Sequence, residues 1–230
     1  MTSQFGGIRV IDHMVSQGPK RRFHRRLKTA TQPFHDRLEA RLPLLDPHLT
    51  RKAYRRLIER FFGFYVPLEA AWEAGCDQAM RTDLLRRRKA QWLLQDLFGL
   101  GATPQDIAAL PICRHLPPLD SYPRILGALY VVEGATLGGQ LVARYLQQSL
   151  GPHALHVSRF FQSYRAQVPA MWEALLKNLE AAGADGKQEA VIVESACRSF
   201  DAFERWLAGG PQSASSSDLA ATSLDLVQEA

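Results

Sequence analysis

One histidine of the chain stands in a setting that suits metal chemistry. His35 follows the apolar Phe34 in a segment with helical periodicity, and Glu39 comes one helical turn later. A neutral imidazole can ligate iron through one nitrogen while its second N–H donates to a carboxylate, which fixes the tautomer and the ring orientation. Lys28 lies seven residues earlier and projects to nearly the same side if the helix continues across Pro33. The same pattern also describes an ordinary half-buried histidine with a surface glutamate, so both interpretations stay open.

Glycines punctuate the most apolar segment of the chain, residues 121–151. A glycine inside a helix costs about 1 kcal/mol relative to alanine, so something should offset that cost. Because successive helical residues are rotated by about 100°, Gly127, Gly134 and Gly138 fall on one side and leave a strip of bare backbone. A flat, bulky ligand could lie against this strip. The alternative is a close crossing of two helices at small residues, and glycines also permit a kink.

The positive charge of the chain invites a nucleic-acid interpretation, which its motifs do not support. Lysine and arginine number 28 against 23 acidic residues, a formal net charge of +5, with clusters at residues 20–28 and 86–89. No zinc-finger spacing, RNP-type aromatic strand or recognisable helix-turn-helix accompanies these clusters. We interpret them as solvated helix faces. A positive surface would also suit an anionic cofactor or an acidic protein partner.

Other common catalytic motifs are missing from the sequence. It contains no HExxH, paired ExxH or GxSxG pattern and no phosphate loop, which speaks against zinc hydrolysis, di-iron chemistry and serine-elbow catalysis. The three cysteines are widely spaced, which excludes a CxxC metal site and favours a reducing compartment. Five further histidines are interpreted as surface residues: His24, His48, His115, His153 and His156.

Helices must position these residues, because apolar side chains recur at three- and four-residue spacings and strand-like alternation is absent. The pattern predicts an all-α, single-domain fold. It predicts helices over about 22–42, from 51, over 80–98, from 104, over 121–151, and over 158–182 and 187–208, with a proline-rich loop at 111–118. Pro33 either kinks the first helix or restarts it, with Thr31 as the cap in the second case.

The two ends of the chain differ in composition from the rest. We expect a flexible basic arm over residues 1–21, a helical domain over 22–208 and a flexible tail over 209–230 that is rich in Gly, Ser and Ala. The arm has no signal-peptide core. The uncharged run before Glu133 is far shorter than the roughly 20 residues that a bilayer requires. The expected location is therefore the cytoplasm, with no membrane contact.

Two segments of the sequence resemble a known family. RLKTATQPFHDRLE, residues 26–39, is similar to the proximal helix of heme oxygenases, in which a lysine lies seven residues before the iron-binding histidine. LGALYVVEGATLGGQL, residues 126–141, resembles their distal helix, in the bacterial version encoded beside bacteriophytochromes. WLLQDLFGLG and FFQSYRAQ also look familial, and the similarity spans about 22–207. Two motifs in the right order are more specific than either alone, so the chain is identified as a member of this family.

The resemblance implies that heme lies between the proximal and distal helices, with His35 as the iron ligand and Glu39 beside it. It implies catalytic roles for His35, Gly134 and Gly138, since the glycine backbones approach the face of the heme where oxygen binds. Further heme contacts carried over by the resemblance are Lys28, Tyr130, Arg165 and Phe200.

The sequence departs from the family at two positions. Ala135 stands where mammalian members carry a distal aspartate that organises water, although bacterial members lack that aspartate as well. Phe203 stands where some bacterial relatives have a tyrosine, which removes one polar contact to heme. The proton path is therefore unassigned.

The implied reaction opens heme b, which is both substrate and cofactor, to biliverdin, CO and ferrous iron. It uses O2 and electrons from a ferredoxin or an NAD(P)H-dependent reductase, and an apo-bacteriophytochrome is the implied recipient of the biliverdin. Two alternatives stay open: a non-enzymatic heme-binding or heme-sensing protein of the same fold, and an all-helical interaction module that contacts nucleic acid. Heme uptake and turnover distinguish the three.

Overall fold

The computed structural model describes residues 21–209, and every regular element in that range is helical, which confirms the all-α expectation. Apart from Arg21 and Gly209, the expected arm and tail lie outside the described residues. The helices are α1 (Arg22–Ala40), α2 (Arg51–Ala74), α3 (Gln78–Arg86), α4 (Ala90–Gly99), α5 (Pro104–Ala108), α6 (Tyr122–Leu137), α7 (Gly139–Leu150), α8 (Arg159–Gln162), α9 (Val168–Ala182) and α10 (Gly186–Leu207). Short 3-10 turns occupy Pro43–Leu45, Pro152–Val157 and Arg165–Gln167.

Helix α1 runs without interruption through Pro33. The hydroxyl of Thr31 donates to the carbonyl of Leu27 at 2.9 Å, one turn back along the same helix, so Thr31 does not cap a restarted helix. The restart considered from the sequence is therefore wrong. Lys28 and His35 lie on one continuous helix, two turns apart, and share a side of it.

The helix starts follow local capping chemistry where the sequence predicts it. Thr50 accepts a hydrogen bond from the backbone N–H of Ala53 at the start of α2. Thr103 and Asp106 form a reciprocal capping box at the start of α5. Both predicted starts are confirmed.

Two predicted helices are wrong because the chain breaks inside them. The segment 80–98 contains the end of α3 and most of α4, separated at residues 87–89, where Arg87 and Lys89 turn inward to a buried carboxylate. The segment 158–182 contains α8, a 3-10 turn and α9. Ser163 and Arg165 adopt positive φ angles of 35° and 53°, which a right-handed helix cannot include.

The single long helix predicted over 121–151 is also wrong, because the chain forms α6 and α7 with a bend of 47° at Gly138. Together the two helices have the length and apolar composition of a membrane span. Within residues 21–209, no single helix is long and apolar enough to cross a bilayer.

Helix α10 organises the packing around the predicted site. It packs against both α6 and α1, and α9 contacts the same two helices from its own position. Helix α2 packs against α4 and contacts α10, with Phe64 and Phe203 stacked at a ring-centroid distance of 4.4 Å. The predicted proximal and distal helices, α1 and α6, are therefore held in place by a shared support.

Candidate functional site

His35 lies on α1 with one face toward the protein and one toward solvent, its side chain 39% exposed. Its Nε2 atom is 3.5 Å from Oε1 of Glu39, and its Nδ1 atom is 3.9 Å from Oδ1 of Asp36. Nδ1 is buried and has no hydrogen-bond partner among the described residues. The ring of Phe200 on α10 meets the imidazole edge to face, with centroids 6.0 Å apart. The imidazole is thus packed against an apolar ring while its nitrogens keep ligand capacity.

Asp36 is a member of this group that the sequence analysis did not single out. One ligand atom each from His35, Asp36 and Glu39 lies within 4.8 Å of the other two. The adjacency of Asp36 to His35 in sequence was the available signal, but neighbouring residues on a helix point about 100° apart, which argues against such a contact. Two carboxylates therefore surround the histidine, where the sequence predicts one.

His24 is fully buried, so its interpretation as a surface residue is wrong. Its ring lies 6.0 Å from that of Tyr130 and 5.8 Å from that of Trp172, measured between centroids. The position follows from the buried side of α1, which also carries Phe23 and Leu27. The surface interpretation is confirmed for the exposed histidines, which are His48, His115, His153 and His156.

Tyr130 and Lys28, two predicted heme contacts, lie on different helices and differ in their surroundings. Tyr130 on α6 is buried within the aromatic group that includes Trp172, at a centroid distance of 5.7 Å. Lys28 on α1 is half-buried and belongs to the side of α1 that carries His35.

The glycine strip of α6 divides into two kinds of position. A Cβ atom on Gly127 would lie 2.5 Å from the carbonyl oxygen of Ile192 and 2.7 Å from Cβ of Ser195, both on α10. Gly127 therefore marks a close helix crossing, the alternative raised from the sequence. A Cβ atom on the half-buried Gly134 would meet no described atom within 4 Å. Gly138 is buried and ends α6.

A buried charge cluster lies immediately beside Gly134. It consists of Glu133, Lys89, Arg87 and Tyr164, and the first three side chains are at most 1% exposed. The Glu133 carboxylate accepts hydrogen bonds from the Lys89 ammonium and, at 2.8 Å, from the Tyr164 hydroxyl, and Nη1 of Arg87 lies 3.3 Å from it. Burial, the neighbouring Glu133 charge and this hydrogen bond raise the pKa of Tyr164, so its hydroxyl keeps its proton.

This cluster corrects the interpretation of residues 86–89 as a solvated helix face. Arg87 and Lys89 are both fully buried, whereas Arg86 is exposed. The available signal was Glu133 in the middle of an apolar helix, because a buried carboxylate requires a cation or several donors. Charge density along the sequence does not show which members of a basic run face inward.

The side chain of Glu69 on α2 caps the N-terminus of α4. Its Oε1 accepts the backbone N–H groups of Lys89 at 2.7 Å and Ala90 at 3.1 Å, at the start of α4. Burial raises the pKa of this carboxyl to about 7, even though both N–H groups favour the charged form. The capping bonds fix Lys89 and hence the cluster around Glu133.

Arg165 is exposed and begins the turn before α9, directly after Tyr164. Phe200 is buried on α10 beside His35, and Ala135 is exposed on α6 next to Gly134. The structure thus brings His35 together with Glu39 and Phe200. It links Gly134 to Arg165 through the neighbouring residues Glu133 and Tyr164.

These residues fit a planar iron porphyrin. A porphyrin needs one axial nitrogen, which the partly exposed imidazole of His35 would supply, and a bare backbone surface, which Gly134 offers. Lys28 and Arg165 are the basic side chains that the family resemblance assigns to its propionates.

An all-helical fold with these residues is compatible with a heme-binding class of protein, and comparison with known sequences makes the class specific. The sequence model of the heme oxygenase family matches residues 21–209, and the chain therefore belongs to this family of oxidoreductases. A similar curated protein is the heme oxygenase of Xanthomonas campestris pv. campestris (strain 8004), 34% identical over 122 residues, which are 53% of this chain and 68% of that protein. No solved structure gives a significant match.

Proposed function

We propose that this chain is a heme oxygenase that converts heme b to biliverdin, CO and ferrous iron, with His35 as the iron ligand. The observation that supports the proposal best is the setting of His35. Its Nδ1 atom has no hydrogen-bond partner among the described residues, and its ring is held by Phe200 and flanked by two carboxylates.

His35 would hold the iron through one imidazole nitrogen. The carboxylate beside the other nitrogen, Glu39 at Nε2 or Asp36 at Nδ1, would orient the ring by accepting its N–H. Heme, the substrate, brings the iron chemistry that oxidises its own ring when O2 and electrons are supplied. Gly134 would leave room for the bound heme, because a Cβ atom there would project into open space. The family resemblance assigns the same part to Gly138. Lys28 and Arg165 pair with the propionates, and Phe200 and Tyr130 line the apolar part of the site.

The partners follow from charge and from the family. The net charge of +5 suits an acidic electron donor, a ferredoxin or an NAD(P)H-dependent reductase. The three cysteines are free, which agrees with a reducing compartment such as the cytoplasm. The motif around Gly134 resembles members encoded beside bacteriophytochromes, so we propose an apo-bacteriophytochrome as the recipient of the biliverdin.

The test compares wild type, His35→Ala and His48→Ala, the last being an exposed control histidine. Hemin titration should give a one-to-one Soret complex for wild type and control. Aerobic incubation with a ferredoxin and its NADPH-dependent reductase should then bleach the Soret band as biliverdin absorbance grows. His35→Ala should lose the normal spectrum and turnover, and added imidazole should restore part of both.

Two results would contradict the proposal. Wild-type spectra and turnover in His35→Ala would remove His35 as the ligand. A stable hemin complex that yields no biliverdin with any reductant would favour the non-enzymatic heme-binding alternative.

A further inference from the structure

We propose that Tyr164 and Glu133 are positioning residues that set the orientation of heme in its own plane. They do so by tying the turn that carries Arg165 to the helix that carries Gly134. The inference rests on the proposed function, because it assigns to this pair the choice of the meso carbon that is oxidised.

A part-buried hydrogen bond connects the turn that carries Arg165 to helix α6, two parts of the chain that are distant in sequence. The Tyr164 hydroxyl donates to Oε1 of Glu133 at 2.8 Å, and Nζ of Lys89 lies 3.1 Å from the same hydroxyl. The Tyr164 ring also packs edge to face on Trp92, with centroids 5.4 Å apart. The side chain is therefore fixed in direction as well as in distance.

The backbone on both sides of Tyr164 shows why the tie is needed. Ser163 and Arg165 adopt φ angles of 35° and 53°, in the left-handed region that costs non-glycine residues free energy. Such a turn persists only when its surroundings hold it, and the anchored Tyr164 side chain lies between the two strained residues. The direction in which the Arg165 side chain leaves the turn is thus set by the bond to Glu133.

Glu133 connects the Tyr164 side chain to α6, the predicted distal helix. It immediately precedes Gly134, and its side chain is anchored in the interior by Lys89 and Arg87 as well as by Tyr164. The propionate partner Arg165 and the bare backbone at Gly134 are therefore connected through two side chains. Since propionate contacts decide how heme is rotated about the axis through His35, a looser tie should allow more than one rotation.

Removal of the Tyr164 hydroxyl should leave the fold intact. Without the hydroxyl, Glu133 keeps its contacts to Lys89 and Arg87, so the carboxylate stays compensated. Tyr164→Phe should therefore fold, and its effect should concern orientation more than stability.

The experiment compares wild type, Tyr164→Phe and Tyr145→Phe, a half-buried control tyrosine on α7. All three should bind hemin one-to-one. Proton NMR of the ferric cyanide complex should show one dominant set of heme methyl signals in wild type and control. It should show a second set in Tyr164→Phe. The minor biliverdin isomer should rise about fivefold in Tyr164→Phe, the change that corresponds to one ordinary hydrogen bond.

A double variant tests whether Tyr164 acts through Arg165. Arg165→Ala should also mix the isomers, and adding Tyr164→Phe to it should change the ratio no further. Unchanged isomers and NMR signals in Tyr164→Phe, with wild type fully active, would overturn this inference and leave the proposed function intact. A loss of melting temperature and turnover without a change in isomer ratio would do the same. Failure of wild type to bind hemin would overturn both.

Discussion

The two halves of α6 show how one residue type on one helix face can serve opposite purposes. Around Gly127 the helix presses against α10, and the missing side chain lets the two backbones approach. Around Gly134 no described atom occupies the place of the missing side chain. Where a neighbouring helix occupies the Cβ position of a glycine, the glycine permits close packing. Where that position is open, the glycine leaves room for a ligand.

The second half of α6 is also held differently from the first. Most residues of α6 before Glu133 are buried and apolar, including Ile125 and Leu129. Glu133 instead anchors the helix with a buried carboxylate and two buried cations, an arrangement that stabilises less than apolar packing of the same volume but fixes direction. The open half is therefore the half whose position is specified by charge.

The largest expected change in stability follows from substitution of Glu133. Glu133→Gln leaves the buried Lys89 ammonium without its carboxylate partner, while Arg87 keeps its ion pair with Asp83. The free energy of unfolding should therefore fall by about 3–5 kcal/mol. Urea denaturation measures it. Glu194→Gln, which removes an exposed ion pair with Arg198, is the matched control and should change stability by less than about 1 kcal/mol. Equal effects of the two variants would show that the Glu133 cluster is not a structural anchor.

The next largest effect is a dependence of the unfolding free energy on pH, which arises from Glu69. The unfolded chain loses the Glu69 proton near its ordinary pKa, whereas burial raises the pKa in the folded state to about 7. The unfolded state therefore binds fewer protons between these values, and stability should fall as pH rises through this window and level off above it. At about 1.4 kcal/mol per pKa unit, the rise of the pKa from 4.5 to about 7 corresponds to a loss of at most about 3.5 kcal/mol.

Glu69→Gln isolates this contribution, because the amide oxygen can still accept the two N–H groups of α4. The variant should flatten the slope of unfolding free energy against pH between about 4.5 and 7. Burial also raises the pKa of Asp96 to about 7, so part of the slope should remain. A slope identical to that of wild type would mean that Glu69 is ionised in the folded protein.

The packed half of α6 should respond to a single added methyl group. In Gly127→Ala the new Cβ atom would lie 2.5 Å from the carbonyl oxygen of Ile192, so α6 and α10 must shift apart. We expect a loss of about 2 kcal/mol in unfolding free energy, the usual cost of overpacking. Thermal and urea unfolding measure it, and a neutral or stabilising result would show that the crossing is loose.

The sequence predicts the regular parts of this fold and misses its irregular ones for identifiable reasons. The starts of α2 and α5 depend on local capping by Thr50 and Thr103, which a short window contains. The break before α4 depends on Arg87 and Lys89 meeting Glu133, a contact over 44 residues for Lys89, which no local pattern encodes.

The residues of the candidate site also differ in whether the sequence predicts them. His35 and Glu39 are readable from spacing within one helix, and Gly134 from its place in an apolar segment. Tyr164 is not, because its importance comes from a bond to Glu133 and from strained neighbours on either side. The local signal indicates the proposed ligand site, whereas the contacts of Tyr164 become visible only in three dimensions.

The smallest effect on stability is also the sharpest test of the contrast between the two glycines. Because no described atom lies within 4 Å of the Cβ position, Gly134→Ala should add about 1 kcal/mol to the unfolding free energy through helix propensity alone. The same methyl group enters the space assigned to the distal face of heme, so turnover should drop while hemin still binds through His35. Gly127→Ala supplies the control, since it should lose stability by a mechanism remote from heme. If Gly134→Ala gained stability and kept full turnover, the open space beside Glu133 would have no part in the reaction.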